Sequence, residues 1–202
     1  MEASRSHPDL SAALDHLLSS GGKRIRPTIA LLTGGMLGAE PEKLITLASA
    51  IELLHTATLV HDDLIDGALL RRGIPTLNAK WSPAATILTG DFIFARAAKL
   101  AAETNSVEVM HLFADTLSII VNGEITQLLA NNSPINRQTY FERIHAKTAS
   151  MFELATTAAA ILSQTEKEII KCLNVFGYEI GMAFQIVDDI LDFTGTEKEL
   201  GK

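Results

Sequence analysis

Asp62-Asp63-Leu64-Ile65-Asp66 and Asp188-Asp189-Ile190-Leu191-Asp192 both spell D-D-x-x-D, each inside an apolar run. On a helix, residues four apart share a face, so Asp62 stacks on Asp66 and Asp188 on Asp192. Carboxylates crowded in apolar surroundings repel one another and are costly to desolvate unless a counter-charge joins them. Oxygen-rich clusters of this kind suit Mg²⁺, which keeps some waters and completes its shell with substrate phosphates. Two such clusters in one chain point to a carboxylate-lined cavity that holds a diphosphate through metal ions.

Cations stand near the first cluster. Gly21-Gly22-Lys23-Arg24-Ile25-Arg26-Pro27 offers two glycines for a tight backbone, three positive charges, and a proline suited to a helix start, where anions are favoured. Alone, it reads equally as a phosphate pocket or a solvated basic turn. Arg71-Arg72-Gly73 follows the first acidic motif. Arginine forks match phosphate oxygens, although a surface pair closing a helix C-terminus has the same spelling. His55 lies two turns before Asp62 on a similar face and is expected in the cavity, whereas His61 reads as a hydrogen-bonded core residue. Lys147-Thr148 and Gln185, taken singly, pass as ordinary helix residues.

These residues need helices to hold them. Apolar positions recur at spacings of three and four through Leu44, Leu47, Ala48, Ile51, Leu54, Ala57 and Thr58. The same period predicts helices over 87–101, 107–129, 141–162 and 167–193, after a short helix over 9–18. Breaks are expected at Gly21-Gly22, 38–41, 73–75, Ser82-Pro83, 131–134 and Gly195. Ser133-Pro134 and Ser163 followed by Glu166 read as helix starts. No stretch alternates long enough for a strand, and no linker is long enough for a domain joint. The expectation is one all-α domain over 1–202. With 202 residues, 47% hydrophobic and 20% charged, the chain can bury a substantial core. A net charge of −7 argues against nucleic acid as a partner. Cys172 is the sole cysteine, so there is no intrachain disulfide or thiolate metal cage. No apolar run reads as a membrane span, and the expected location is cytoplasmic.

The strings GGKRIRP (21–27), ELLHTATLVHDDLID (52–66), LRRGIPT (70–76), GDFIFARA (90–97), GEITQL (123–128), AKTASMFE (146–153) and FQIVDDILDFTG (184–195) resemble, in order, those of the trans-isoprenyl (polyprenyl) diphosphate synthase family. The resemblance implies an all-α bundle around a deep central cavity, the isoprenoid synthase fold, in a homodimer. It implies a transferase of isoprenoid biosynthesis that condenses isopentenyl diphosphate with an allylic diphosphate. Peripheral membrane contact through a greasy product is left open. By resemblance, Lys23, Arg26, His55 and Arg72 hold isopentenyl diphosphate. Asp62, Asp66 and Asp188 ligate about three Mg²⁺ ions, with Asp63, Asp189 and Asp192 supporting. Arg71, Lys147 and Lys202 complete the allylic diphosphate site, and Thr148 and Gln185 face the reacting carbon. Family members continue well beyond Lys202, so the last helices of the bundle are expected to be missing here.

Small residues before the first motif, Ala57 and Thr58, leave the product tunnel open and predict a long-chain product. On this reading Ala57→Tyr shortens it. Two alternatives are weighed against this one. An all-α metal-dependent phosphohydrolase would need histidines near the second acidic motif, and none stands there. A non-catalytic or partner-dependent subunit of a two-component synthase would be expected to have lost an acidic motif, and both are intact.

Overall fold

The computed structural model describes residues 8–19, 21–130 and 136–194. The helices are α1 (Pro8–Ser19), α2 (Ile25–Met36), α3 (Pro41–Ile65), α4 (Leu77–Lys80), α5 (Pro83–Glu103), α6 (Val107–Leu129), α7 (Arg137–Ile144), α8 (Ser150–Leu162) and α9 (Lys167–Thr194). A π-helical segment, His145–Ala149, joins α7 to α8 without a break in the chain direction. The all-α expectation holds, and the helix boundaries follow sequence chemistry. The side chains of Thr76, Ser82, Ser106 and Asn136 each accept a hydrogen bond from the backbone N–H three residues on. Pro41 and Pro83 sit in the first turn, where a missing N–H costs nothing.

The main core is built by α2, α3, α5, α6 and α8, with Leu47, Ile51, Leu54, Ala97, Phe113 and Leu154 at its centre. Helix α8 packs against α2, α3, α6 and α9, so it is enclosed on most sides. Its run of small residues, Ala155, Ala158, Ala159 and Ala160, allows that crowding. A second cluster joins Ala13, Ala57, Val60, Leu77 and Ile93. A third joins Ile144, Ala149 and Met182 with Tyr140, Phe141 and Ile186 around them.

The structure departs from expectation at several points. Strands β1 (Leu70–Arg71) and β2 (Ile74–Pro75) form a two-stranded hairpin, too short to leave an alternating pattern. Its turn residues Arg72 and Gly73 both have positive φ, 53° and 74°, as a tight two-residue hairpin turn requires. The helix predicted over 141–162 contains the π segment, which leaves no mark on a 3.6-residue period. Ser163 closes α8 rather than starting α9, which begins at Lys167. Pro27 is the third residue of α2, not the first. Helix α3, at 25 residues, is long and apolar enough to cross a membrane, contrary to the reading that no segment is. It is a core helix: Leu47, Ala50, Ile51, Leu54 and Ala57 are fully buried by protein. The breaks expected at 131–134 and Gly195, the helix start at Ser133-Pro134, and Lys202 lie outside the described residues.

Candidate active site

Helix α3 carries the first acidic motif at its C-terminal end. His55, Thr58, Asp62 and Asp66 fall within roughly 80° of arc on it. Asp62 is mostly buried, and burial pushes its carboxyl up to about 6; Lys147 and Arg71 oppose the rise, Glu124 and Asp66 add to it. Asp66 caps the helix and is exposed. Asp63 stands roughly 100° round from Asp62. It is buried and occupied: the Arg71 Nε donates to its two oxygens at 2.9 and 3.1 Å, and Nη2 lies 2.8 Å away. The first motif is thus divided, with Asp62 and Asp66 on one face and Asp63 anchoring the hairpin. Thr58 is buried, its hydroxyl donating to the His55 carbonyl at 2.8 Å. Ala57 is turned roughly 140° from Asp62, into the second cluster with Ala13 and Ile93.

The glycine loop and the hairpin meet over His55. Gly21 and Gly22 have φ of 79° and 138°. The Arg72 Nη1 donates to the Gly21 carbonyl at 3.1 Å, and a Cβ on Gly22 would stand 3.0 Å from that same nitrogen. Arg24 pairs with Glu52. Arg26 Nη1 donates to His55 Nε2 at 3.3 Å, so that ring nitrogen accepts and the imidazole is neutral. Burial, reinforced by the charges of Arg26, Arg71, Arg72 and Arg24, lowers the His55 pKa to about 2. Burial also lowers Arg26, to about 10, against the pull of Glu52. Its guanidinium lies 5.2 Å from the centroid of the Phe152 ring, and its buried Nε has no hydrogen-bond partner among the described residues. Four guanidiniums around a neutral histidine make a site for a polyanion. Lys23 is exposed on the loop leading into α2.

The π segment connects the two acidic motifs. Lys147 Nζ lies 4.0 Å from Asp62 Oδ2 and 3.6 Å from Glu124 Oε1. The next residue, Thr148, donates its hydroxyl to Gln185 Oε1 on α9 at 2.6 Å. A π turn widens the helix locally, and such bulges are frequent at functional sites. Gly123 lets α6 reach the segment: a Cβ there would stand 2.5 Å from the Ala146 Cβ. The segment's first residue, His145, pairs with Glu153 at 2.7 Å, and that bond raises the imidazole pKa.

On α9, Gln185, Asp188, Asp189 and Asp192 share roughly 100° of arc. Asp189 is bound on both oxygens: Gln185 Nε2 donates to Oδ1 at 2.8 Å and the Tyr140 hydroxyl to Oδ2 at 2.7 Å. That bond pushes the Tyr140 pKa up to about 12. Asp188 and Asp192 are exposed.

The donors that could hold a metal are carboxylate oxygens only. Among the described residues, no three His, Cys, Asp or Glu side chains close on one point as a ready-made cage. Carboxylate oxygens are hard donors of the kind that suit Mg²⁺, which takes much of its shell from water and phosphate. The structure therefore brings together Asp62, Lys147, Thr148, Gln185 and Asp189 in one contact chain, and Arg26, His55, Arg71 and Arg72 in another group. Sequence reasoning missed Glu52, Glu124 and Tyr140. Both glutamates stand in the family-like strings ELLHTATLVHDDLID and GEITQL, which was the available signal; Tyr140 had none.

The family model described as Polyprenyl synthetase matches residues 7–202. Octaprenyl diphosphate synthase of Haemophilus influenzae is 42% identical over 188 residues, covering 93% of this chain and 57% of that protein. Heptaprenyl diphosphate synthase component 2 of Bacillus subtilis is 43% identical over 197 residues, 97% of this chain and 57% of that protein. The crystal structure of polyprenyl synthase from Caulobacter crescentus CB15, complexed with calcium and isoprenyl diphosphate, superposes with a TM-score of 0.90 at 39% identity. It covers 95% of this chain and 59% of that one. The chain spans less than two thirds of the length of these relatives.

Proposed function

The chain belongs to the polyprenyl synthetase family, and from that premise we propose that it condenses isopentenyl diphosphate with an allylic diphosphate into a long-chain all-trans polyprenyl diphosphate. The observation that carries the proposal is the π segment, with Lys147 beside Asp62 and Thr148 on Gln185. One short element thereby ties a cation to the first acidic motif and a polar oxygen pair to the second.

In this reading Lys23, Arg26, His55 and Arg72 bind isopentenyl diphosphate. A polyanion there offsets the repulsion among the arginines and gives an acceptor to the Arg26 Nε, which has none among the described residues. Arg71, held in place by Asp63, and Lys147 bind the allylic diphosphate, with Lys202 as a further cation. Asp62, Asp66, Asp188 and Asp192 would hold Mg²⁺. When bound, Mg²⁺ supplies Lewis-acid charge to the diphosphate leaving group. Lys147 adds its charge as the allylic carbon–oxygen bond breaks and its electron pair leaves with the diphosphate. The oxygens of Thr148 and Gln185 face the positive carbon that results. The double bond of isopentenyl diphosphate attacks that carbon, and a proton passes to the departed diphosphate. Apolar walls keep out water that would quench the cation. Thr58, small and on the Asp62 face, leaves room for a long product, while Ala57, also small, packs behind it with Ala13 and Ile93. A homodimer in the cytoplasm is part of the proposal.

The test incubates the chain with farnesyl diphosphate, labelled isopentenyl diphosphate and Mg²⁺, followed by product chromatography. Elongated polyprenyl diphosphates are expected. Phosphate release without elongation would overturn the reading in favour of a hydrolase. A second reading has one specific support: the Bacillus subtilis relative is named as component 2 of its synthase. If the chain is inert alone and elongates only with a second subunit, that partner-dependent reading replaces the first.

A further inference from the structure

Two hydrogen bonds end on one carboxylate, and a third feeds into one of them, which sets the direction of the whole chain of donors. The Tyr140 hydroxyl donates to Asp189 Oδ2 at 2.7 Å, and Gln185 Nε2 donates to Asp189 Oδ1 at 2.8 Å. With its amide nitrogen committed to Asp189, Gln185 turns its carbonyl oxygen to Thr148, which donates to it at 2.6 Å. An ionised carboxylate only accepts, so every donor in the chain points toward it. The Thr148 proton is therefore engaged, and the rest of its oxygen is lone pairs.

We propose that Tyr140 is a positioning residue that fixes this polarity, holding Asp189 so that Gln185 and Thr148 present oxygen lone pairs rather than N–H or O–H hydrogens to the reacting carbon. The inference rests on the prenyl-transfer reading above, since only a positive carbon rewards that orientation. The reverse orientation would aim donor hydrogens at a cation. Asp189 then serves as a bracket, each of its oxygens accepting one hydrogen bond. Tyr140 can do this because its ring is seated. It packs with Phe141, ring centroids 5.7 Å apart, in the cluster around Ile144, Ala149 and Met182. Helix α7 thereby acts on the chemistry through Asp189.

The variant Tyr140→Phe keeps the ring and removes the donor. Tyr178→Phe, whose ring packs on His145 at 5.6 Å, is the matched control. Two readouts are taken on the full chain. The first is NMR of the Gln185 side-chain amide, assigned by its disappearance in Gln185→Glu. In Tyr140→Phe these signals are expected to shift and to exchange faster with water; in Tyr178→Phe they are expected to stay. The second is steady-state kinetics with farnesyl and isopentenyl diphosphates. Loss of a bond to a charged acceptor should lower kcat about tenfold with both KM values unchanged. Unmoved Gln185 signals in Tyr140→Phe would overturn the proposal. So would moved signals with an unchanged kcat. If the wild-type chain makes no product, the function reading fails instead, and the amide signals alone decide whether Tyr140 sets the chain.

Discussion

His55 and Asp62 stand on one helix face and titrate in opposite senses. The His55 pKa falls from 6.5 to about 2 on folding, through burial and four nearby arginines. Below pH 6.5 the unfolded chain takes up a proton that the folded chain refuses, so stability falls as the pH falls. Asp62 rises from 3.8 to about 6, so between those values the folded chain keeps a proton the unfolded chain has lost. Its contribution falls as the pH rises. The two slopes oppose each other from about pH 4 to about pH 6. With EDTA present, Asp62→Asn should lose stability relative to wild type on acidification, by up to about 1.4 kcal/mol per pH unit. His55→Asn should gain by a similar amount. Urea unfolding at several pH values checks both signs, and parallel curves for all three proteins would contradict the assignment. Of these residues, His55 and Asp62 were legible from spacing on an apolar helix. Asp63 was not separable from Asp62 by spelling, because only the hairpin's return decides which carboxylate Arg71 takes.

Helix contacts at single glycines set where α6 and α9 lie. A Cβ on Gly123 would meet the Ala146 Cβ at 2.5 Å, and one on Gly177 would meet Thr156 Oγ1 at 2.3 Å and the Phe152 carbonyl at 2.8 Å. Gly123→Ala and Gly177→Ala should each cost about 1–3 kcal/mol through overpacking. Among the described residues, nothing lies within 4 Å of that position at Gly35 of α2. Gly35→Ala should stabilise by about 0.5–1 kcal/mol, since a helical glycine gives up more backbone freedom on folding. Thermal melts of the three variants test the contrast. On α3, Thr58→Phe places a ring on the Asp62 face and should shorten the product. Ala57→Tyr should shorten it too, with a loss of about 1–3 kcal/mol, because the ring must displace neighbours in the cluster with Ala13 and Ile93. Product chromatography beside melts separates the two, and full-length products from both would remove the tunnel argument. Helix extents were largely readable from apolar period and caps. The hairpin and the π segment were not: one is too short for a pattern, and the other differs from an α-helix only in hydrogen-bond register.

The net charge of −7 conceals a local excess of positive charge where Arg24, Arg26, Arg71 and Arg72 surround His55. Binding of an anion depends on that local field and not on the total. On the outside, α6 exposes Val121, Ile125 and Leu128 at spacings that share a face. For the proposed homodimer this face is a suitable contact. Sedimentation of the wild-type chain should give twice the monomer mass, and Ile125→Glu should shift it toward monomer. A wild-type monomer at micromolar concentration would count against the dimer.

Helical class, the two carboxylate pairs and the basic strings were all readable along the chain, since each depends on neighbours within a turn or two. Which polar groups meet became visible with the folded arrangement. Asp63 goes to Arg71, Arg26 to His55, Lys147 to Asp62 and Glu124, and Tyr140 to Asp189. Those partners lie 8 to 85 residues apart, so their meeting depends on how helices cross and how far glycines let them approach.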